Sequence, residues 1–159
     1  MSARALGLGV TVGGLVAAGL MVLVDIVPIV SIDVAGGSCE VINDSNPELA
    51  DACVQSGFER HGAAMLLLGL VTAVMAWGAG VGGSLPAAAA LVAVGLLVLG
   101  IALLIDLPVT DDSGAIGPRF EGAQAQADIG FTLELLAGSL AALAGAACLA
   151  FLPPRAREI

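Results

Sequence analysis

The fold is decided by residues 62–105, which read GAAMLLLGLVTAVMAWGAGVGGSLPAAAALVAVGLLVLGIALLI. These 44 consecutive residues contain no Asp, Glu, Lys, Arg or His. A helix that crosses a bilayer core needs about 20 apolar residues, so the run is too long for one crossing and long enough for two. Its Gly-rich middle, at 78–83, is a natural break. The run predicts transmembrane helices at about 62–80 and 85–106, joined by a hairpin at 81–84.

Two further apolar runs flank this stretch, and neither residues 5–24 nor residues 135–154 contain a charge. They predict helices at about 5–30 and 129–152. The first run is longer than the apolar core of a secretory signal peptide, so we expect a retained helix. Only 12% of the residues are charged, against about 25% in soluble chains. The predicted fold is an all-α membrane protein, a four-transmembrane-helix bundle that forms a single membrane domain over 1–159.

Arginines and cysteines predict the orientation of the helices. Arg4 precedes the first helix, and Arg155 and Arg157 follow the fourth, so the positive-inside rule places both termini in the cytoplasm. Cys39 and Cys53 share a polar loop, and a disulfide between them would persist only in an oxidising compartment. The Arg-only, Ala- and Gly-rich composition is typical of a bacterial protein. We therefore expect a plasma (inner) membrane protein with a cytoplasmic hairpin at 81–84 and extracytoplasmic loops at 31–61 and 107–128.

Four spans with a disulfide in the first outer loop resemble the architecture of claudin and related tetraspan proteins. The aromatic loop motif of claudins is absent, and the loop is much shorter. The resemblance therefore implies an architecture and carries no activity with it.

The two halves of the chain also resemble each other. Residues 14–25 read GLVAAGLMVLVD, and residues 95–106 read GLLVLGIALLID, so two glycines and the final aspartate align at an offset of 81. Pro28 and Pro108 follow the two aspartates closely. This internal repeat predicts two tandem helical hairpins related by a pseudo-two-fold axis along the membrane normal.

Small residues recur at four-residue spacing on three of the predicted helices. Such pairs let helix backbones approach closely, which drives association where lipid gives no hydrophobic reward. They indicate packing within the bundle, and their number leaves some for contacts with a second copy or another membrane protein. The candidate helix-packing residues are Gly14, Ala18, Gly69, Ala73, Gly138 and Ala142.

Three carboxylates, Asp25, Asp106 and Glu134, lie in or near the apolar segments. An ionisable residue inside a membrane is a functional hypothesis by default, although its cost falls toward the interface. The structural interpretation is that the aspartates are interfacial groups, hydrated or paired with Arg60, His61 or Arg119, and that Glu134 pairs with Arg60. The functional interpretation is an acid-lined outer vestibule that attracts cations or relays protons. The stretches at the predicted midplane are almost wholly Ala, Gly, Val and Leu, which disfavours transport.

Catalytic and nucleic-acid-binding signatures are missing from the sequence. The single histidine cannot form a His-based metal cluster, and the loop cysteines are not a CxxC pair. A net charge of −9 without basic clusters excludes nucleic-acid binding. We therefore expect no enzyme, no metal and no cofactor. The predicted function is a scaffold, an accessory subunit or a self-assembling tetraspan with an ordered acidic outer face. The alternative is a small oligomeric cation channel or transporter that uses the outer-leaflet carboxylates.

Overall fold

The computed structural model describes residues 2–35, 37–39, 47–114, 116–120 and 122–151. Most of these residues are helical, and three helices are long and apolar enough to cross a membrane. These are Ala3–Val24, Leu85–Asp111 and Ile129–Phe151. A fourth apolar helix, Ala64–Gly80, is shorter.

The helices are α1 (Ala3–Val24), α2 (Pro47–Cys53), α3 (Gly57–His61), α4 (Ala64–Gly80), α5 (Leu85–Ile101) and α6 (Ile129–Phe151). A π-helical turn (Ala102–Asp106) and a 3-10 turn (Leu107–Asp111) continue α5. The strands are β1 (Pro28–Val34), β2 (Gly37–Ser38), β3 (Val54–Ser56) and β4 (Gln124–Ala127). Four apolar helices lie where the sequence predicts them. The described residues do not include Arg155, Arg157 or residue 152, the predicted end of the last helix.

The four apolar helices pack as a ring, in which α1 contacts α4 and α6, and α5 contacts α6 and α4. Close backbone approach holds neighbouring helices together. A methyl group on Gly95 of α5 would overlap the backbone of Ala142, and one on Gly138 of α6 would lie 2.9 Å from the Gly95 carbonyl oxygen. On the other side of the ring, a methyl on Gly69 would lie 2.9 Å from the Ala18 carbonyl oxygen. Small residues therefore set the distances between the helix axes.

A four-stranded antiparallel sheet covers one end of the helices, which we call the sheet end. Strand β1 is its centre and pairs with β2, β3 and β4. The expectation of an all-α fold is wrong here, and so is a first helix that runs to residue 30, because α1 ends at Val24. Pro28 has no N–H to continue a helix, and the β-branched run that follows it favours a strand.

The sheet has a small core of its own, formed by Ile32, Val34, Cys39, Cys53 and Ile116. Cys39 and Cys53 lie at disulfide distance within it, with Cα atoms 5.7 Å apart. Closing a loop of this length stabilises a fold by about 3 kcal/mol in the chain-entropy model. The segments predicted as outer loops thus contain strands and short helices as well as the expected disulfide.

The packing of α5 on α6 predicts a contrast between two glycines of the same helix. Gly95→Ala should destabilise the protein by about 1–3 kcal/mol, because the added methyl group overlaps the α6 backbone and forces the helices apart. Gly100→Ala is the matched control, since a methyl group there meets no atom within 4 Å. Thermal unfolding of both variants in one detergent measures the difference. Equal midpoints would show that this backbone contact does not limit helix approach.

Candidate functional site

The site begins with α3, a one-turn helix whose start is fixed by its own sequence. Ser56 and Glu59 form a capping box, in which the Ser56 N–H donates to the Glu59 carboxylate at 2.7 Å and the Glu59 N–H donates to the Ser56 hydroxyl at 3.4 Å. These bonds satisfy two N–H groups that a helix start leaves without partners. Arg60 and His61 follow in the last turn, so the cap decides where both side chains lie.

Helix α3 packs directly on the end of α1. The N–H of Phe58 donates to the Asp25 carbonyl oxygen at 3.0 Å, and the N–H of Gly57 donates to the Val27 carbonyl oxygen at 3.3 Å. Gly57 is buried, and any side chain there would overlap the Val24 carbonyl group. Glycine is therefore required at this position, because it lets α3 sit against the α1 terminus.

Asp106 ends the π-helical turn at the sheet end of α5, and its side chain is 0% exposed. Its carboxylate accepts from two neighbours on α3. The Arg60 Nε–H donates to Oδ1 at 2.7 Å, and His61 Nε2 lies 2.9 Å from Oδ2. Arg60 also donates through Nη1 to the Gln55 side-chain oxygen at 3.0 Å. Because both carboxylate oxygens are bonded, the burial of this charge is compensated.

Glu134 on α6 completes the group, which we call the Asp106 cluster: Arg60, His61, Asp106 and Glu134. Its side chain is also 0% exposed, and neither of its carboxylate oxygens has a hydrogen-bond partner among the described residues. One ligand atom each from His61, Asp106 and Glu134 lie within 4.8 Å of one another. Two ionised carboxylates this close repel each other, unless they share a proton or bind a cation between them.

Asp25, at the C-terminus of α1, lies beside the cluster. It is 7% exposed, and its Oδ1 atom has no hydrogen-bond partner within the described part of the chain. Burial raises the pKa of its carboxyl, and the Leu66 N–H and the charge of His61 lower that pKa by less. Asp25 is therefore a third buried carboxyl at the level where the sheet meets the helices.

The structure brings together all five charged residues singled out in the sequence, namely Asp25, Arg60, His61, Asp106 and Glu134. Arg60 and His61 both pair with Asp106, which is one of the pairings that the sequence left open, and no ion pair joins Arg60 to Glu134 among the described residues. Arg119, another possible partner of the aspartates, is exposed. Sequence reasoning missed Gln55, whose side-chain oxygen accepts a hydrogen bond from Nη1 of Arg60. The capping-box pattern of Ser56 and Glu59 was the signal that could have placed α3.

The other candidate residues lie elsewhere. Cys39 and Cys53 belong to the sheet core. The small residues line the contacts between helices, where Gly14, Ala18, Gly69 and Gly138 are buried and Ala73 and Ala142 are half-buried. The hydroxyl of Thr11 donates to the Gly7 carbonyl oxygen of its own helix, and that of Thr72 donates to the sulfur of Met21 across to α1.

A cleft of about 480 Å³ opens beside the cluster on the side of α2 and α3. It is lined by Asp51, Ala52, Gln55, Glu59 and Arg60. The cleft therefore reaches the guanidinium group that holds Asp106, and acidic side chains stand along it.

Comparison of the chain with protein-family models, with curated proteins and with solved structures finds no match.

Removal of the Asp106 charge should destabilise the protein strongly. Asp106→Asn leaves the partly buried Arg60 beside a neutral group, and breaking a buried ion pair costs about 3–5 kcal/mol. Asp111→Asn is the matched control, because Asp111 lies on the adjoining 3-10 turn and is exposed. Chemical unfolding in detergent compares the two. If Asp106→Asn were no less stable than the control, Asp106 would not anchor α3 to the helices.

Proposed function

We propose that this chain is a four-span, non-enzymatic membrane scaffold or accessory subunit, with its sheet end outside and its termini in the cytoplasm. The observation that carries the proposal is the construction of the sheet end. A sheet, a disulfide and a separate apolar core fix it internally, and the Asp106 cluster fixes it to the helices. Ordering backbone costs about 1–2 kcal/mol per residue, so these features favour a defined binding surface over a mere connection between spans.

The fourth span in this proposal is α4. Its 17 residues are at the short end of the range for a spanning helix. Its surface is apolar, since Leu66, Leu67, Leu70, Val74 and Trp77 are all exposed. Side chains of this kind are suited to contact with lipid. With α4 as a span, both chain termini lie on the side opposite the sheet.

The two-hairpin repeat belongs to the same proposal. Asp25 and Asp106, the aligned aspartates, are both buried where their helices meet the sheet end. Their surroundings differ, because Asp106 is paired with Arg60 and His61 and Asp25 is not among their salt-bridge partners. A duplicated hairpin in which one copy acquired the ion pair accounts for both observations.

The recognition surface in this proposal is the acidic exterior of the sheet end. Asp33, Asp51, Asp111 and Asp112 are exposed there, together with Glu59. A negative surface of this kind favours a basic partner and speeds encounter with it. Small residues at the lipid-facing surface of the helices, such as Ala89 and Ala93 on α5, offer a second contact for self-association.

Charge reversal at the sheet end should weaken assembly without unfolding the protein. We expect the variant Asp51→Lys/Asp111→Lys to lose association with a partner or a second copy, because lysine reverses the charge of the acidic surface. The fold should be unaffected, because both side chains are exposed and outside the capping box. Asp51→Asn/Asp111→Asn is the control, since it removes charge without reversing it. Native mass measurement of protein extracted in mild detergent reads the assembly. An unchanged assembly in the Lys variant would assign recognition to the helices alone.

A second candidate function is a small oligomeric cation channel or transporter. The convergence of Asp25, Asp106 and Glu134 beside an acid-lined cleft favours it. Against it, the buried polar groups of the described helices below that level are Thr11 and Thr72 only. A conducting path needs polar groups or water deeper in the membrane.

Vesicles reconstituted with the purified chain should therefore pass no more Na⁺, K⁺ or H⁺ than empty vesicles do. A fluorescent flux assay across a range of pH and voltage measures this. Flux that falls in Asp25→Asn would replace the scaffold proposal with the conducting one.

A further inference from the structure

We infer that His61, Asp106 and Glu134 form a binding site for one divalent transition-metal ion of the Zn²⁺ or Mn²⁺ kind. The scaffold proposal neither needs such a site nor depends on it. Glu134 takes no part in the ion pairs of the cluster, which join Asp106 to Arg60 and His61. Its carboxylate is 0% exposed, lies within 4.8 Å of ligand atoms on His61 and Asp106, and has no hydrogen-bond partner among the described residues.

An ionised carboxylate in this position needs a positive partner. A buried polar group without a hydrogen bond costs free energy, and an ionised one costs more. Arg60 does not bond Glu134 in the described structure: its Nε–H and Nη1 donate to Asp106 and Gln55, and neither Glu134 oxygen accepts a hydrogen bond from a described residue. The position between Glu134, Asp106 and His61 is therefore the natural place for a cation.

The charges around the cluster favour a divalent ion. Asp25, Asp106 and Glu134 can together carry three negative charges, and Arg60 supplies one permanent positive charge. The excess of two negative charges equals the charge that one divalent cation supplies. A monovalent ion would leave half of the excess in a region shielded from water.

The donor atoms favour a transition metal over Ca²⁺ or Mg²⁺. Imidazole nitrogen together with carboxylate oxygen suits Zn²⁺ and Mn²⁺, whereas Ca²⁺ and Mg²⁺ prefer oxygen alone. Two ligands bound at about 2.1 Å to one ion are about 3.0–3.4 Å apart at octahedral or tetrahedral angles. The 2.9 Å separation between His61 Nε2 and Asp106 Oδ2 is close to that spacing, so both can turn their lone pairs to one ion with small movements.

Arg60 and the cleft fit the surroundings of a metal site. Ligating carboxylates are usually oriented by a further hydrogen bond. Arg60 donates such a bond to Oδ1 of Asp106, while His61 lies next to Oδ2. The cleft lined by Asp51 and Glu59 gives ions a route from the surface to Arg60, at the edge of the cluster. The expectation of no metal rested on the single histidine. The fold instead supplies a mixed set of donors from α3, the π turn and α6.

The test uses the full chain in detergent, stripped with a chelator and then equilibrated with Zn²⁺ or Mn²⁺. After gel filtration, elemental analysis should give about one metal ion per chain, and competition with a chromophoric chelator should give its Kd. X-ray absorption should show a shell of nitrogen and oxygen atoms with one imidazole. Sulfur in that shell would assign the metal to Cys148 and overturn the inference.

Two variants locate the site. Glu134→Gln keeps the size of the side chain and removes its charge, so metal affinity should fall at least 10-fold. Arg119→Gln, which removes an exposed charge outside the cluster, should bind metal as the natural chain does. If Glu134→Gln fails to fold, His61→Gln takes its place with the same expectation. Absence of stoichiometric metal in the natural chain at micromolar Zn²⁺ and Mn²⁺ would overturn the inference and assign charge compensation to protons. Unchanged metal affinity in a folded Glu134→Gln or His61→Gln variant would also overturn it, because the metal would then bind elsewhere.

Discussion

The pairing of Asp106 with Arg60 and His61 is the interaction on which the rest of the structure depends. A carboxylate at the end of an apolar helix, with no exposed surface, is tolerated only where its oxygens are bonded to positive or donor groups. Both partners come from α3, which has a single turn and little packing area of its own. The pair therefore joins two segments far apart in the chain, the short helix before α4 and the π turn after α5.

The position of α3 in turn fixes the sheet. Strand β3 ends where the capping box of α3 begins, and β3 pairs with the central strand β1. At the far side of the junction, a methyl group on Gly130 would lie 2.5 Å from the Pro28 carbonyl oxygen, so α6 starts in direct contact with β1. Sheet and helices thus form one connected structure, joined by the ion pair, by two glycine contacts and by a buried apolar core that Ile29 and Val30 of β1 share with the helices.

Packing between the helices follows a different principle from that of a soluble core. Leucine and valine side chains mostly point outward, while Gly and Ala meet between the helices. Association then depends on close contact of backbones, because lipid is as apolar as the helix surface itself. The Asp106 cluster sits at the end of this apolar structure, where three carboxyl groups are enclosed and one of them, Glu134, is left without a protein partner among the described residues.

The sequence alone determined the helices, because the absence of charge over 62–105 and the two flanking runs is a strong and local signal. It also singled out the cysteine pair and the five charged residues that the structure brings together. It did not reveal the sheet, because two of the three strands that pair with β1, at residues 54–56 and 124–127, are distant from it in the chain. Nor could it decide which basic group pairs with which carboxylate. That choice depends on where α3 lies, and only the contacts of Gly57 with α1 and the π turn that carries Asp106 place those side chains within hydrogen-bond distance.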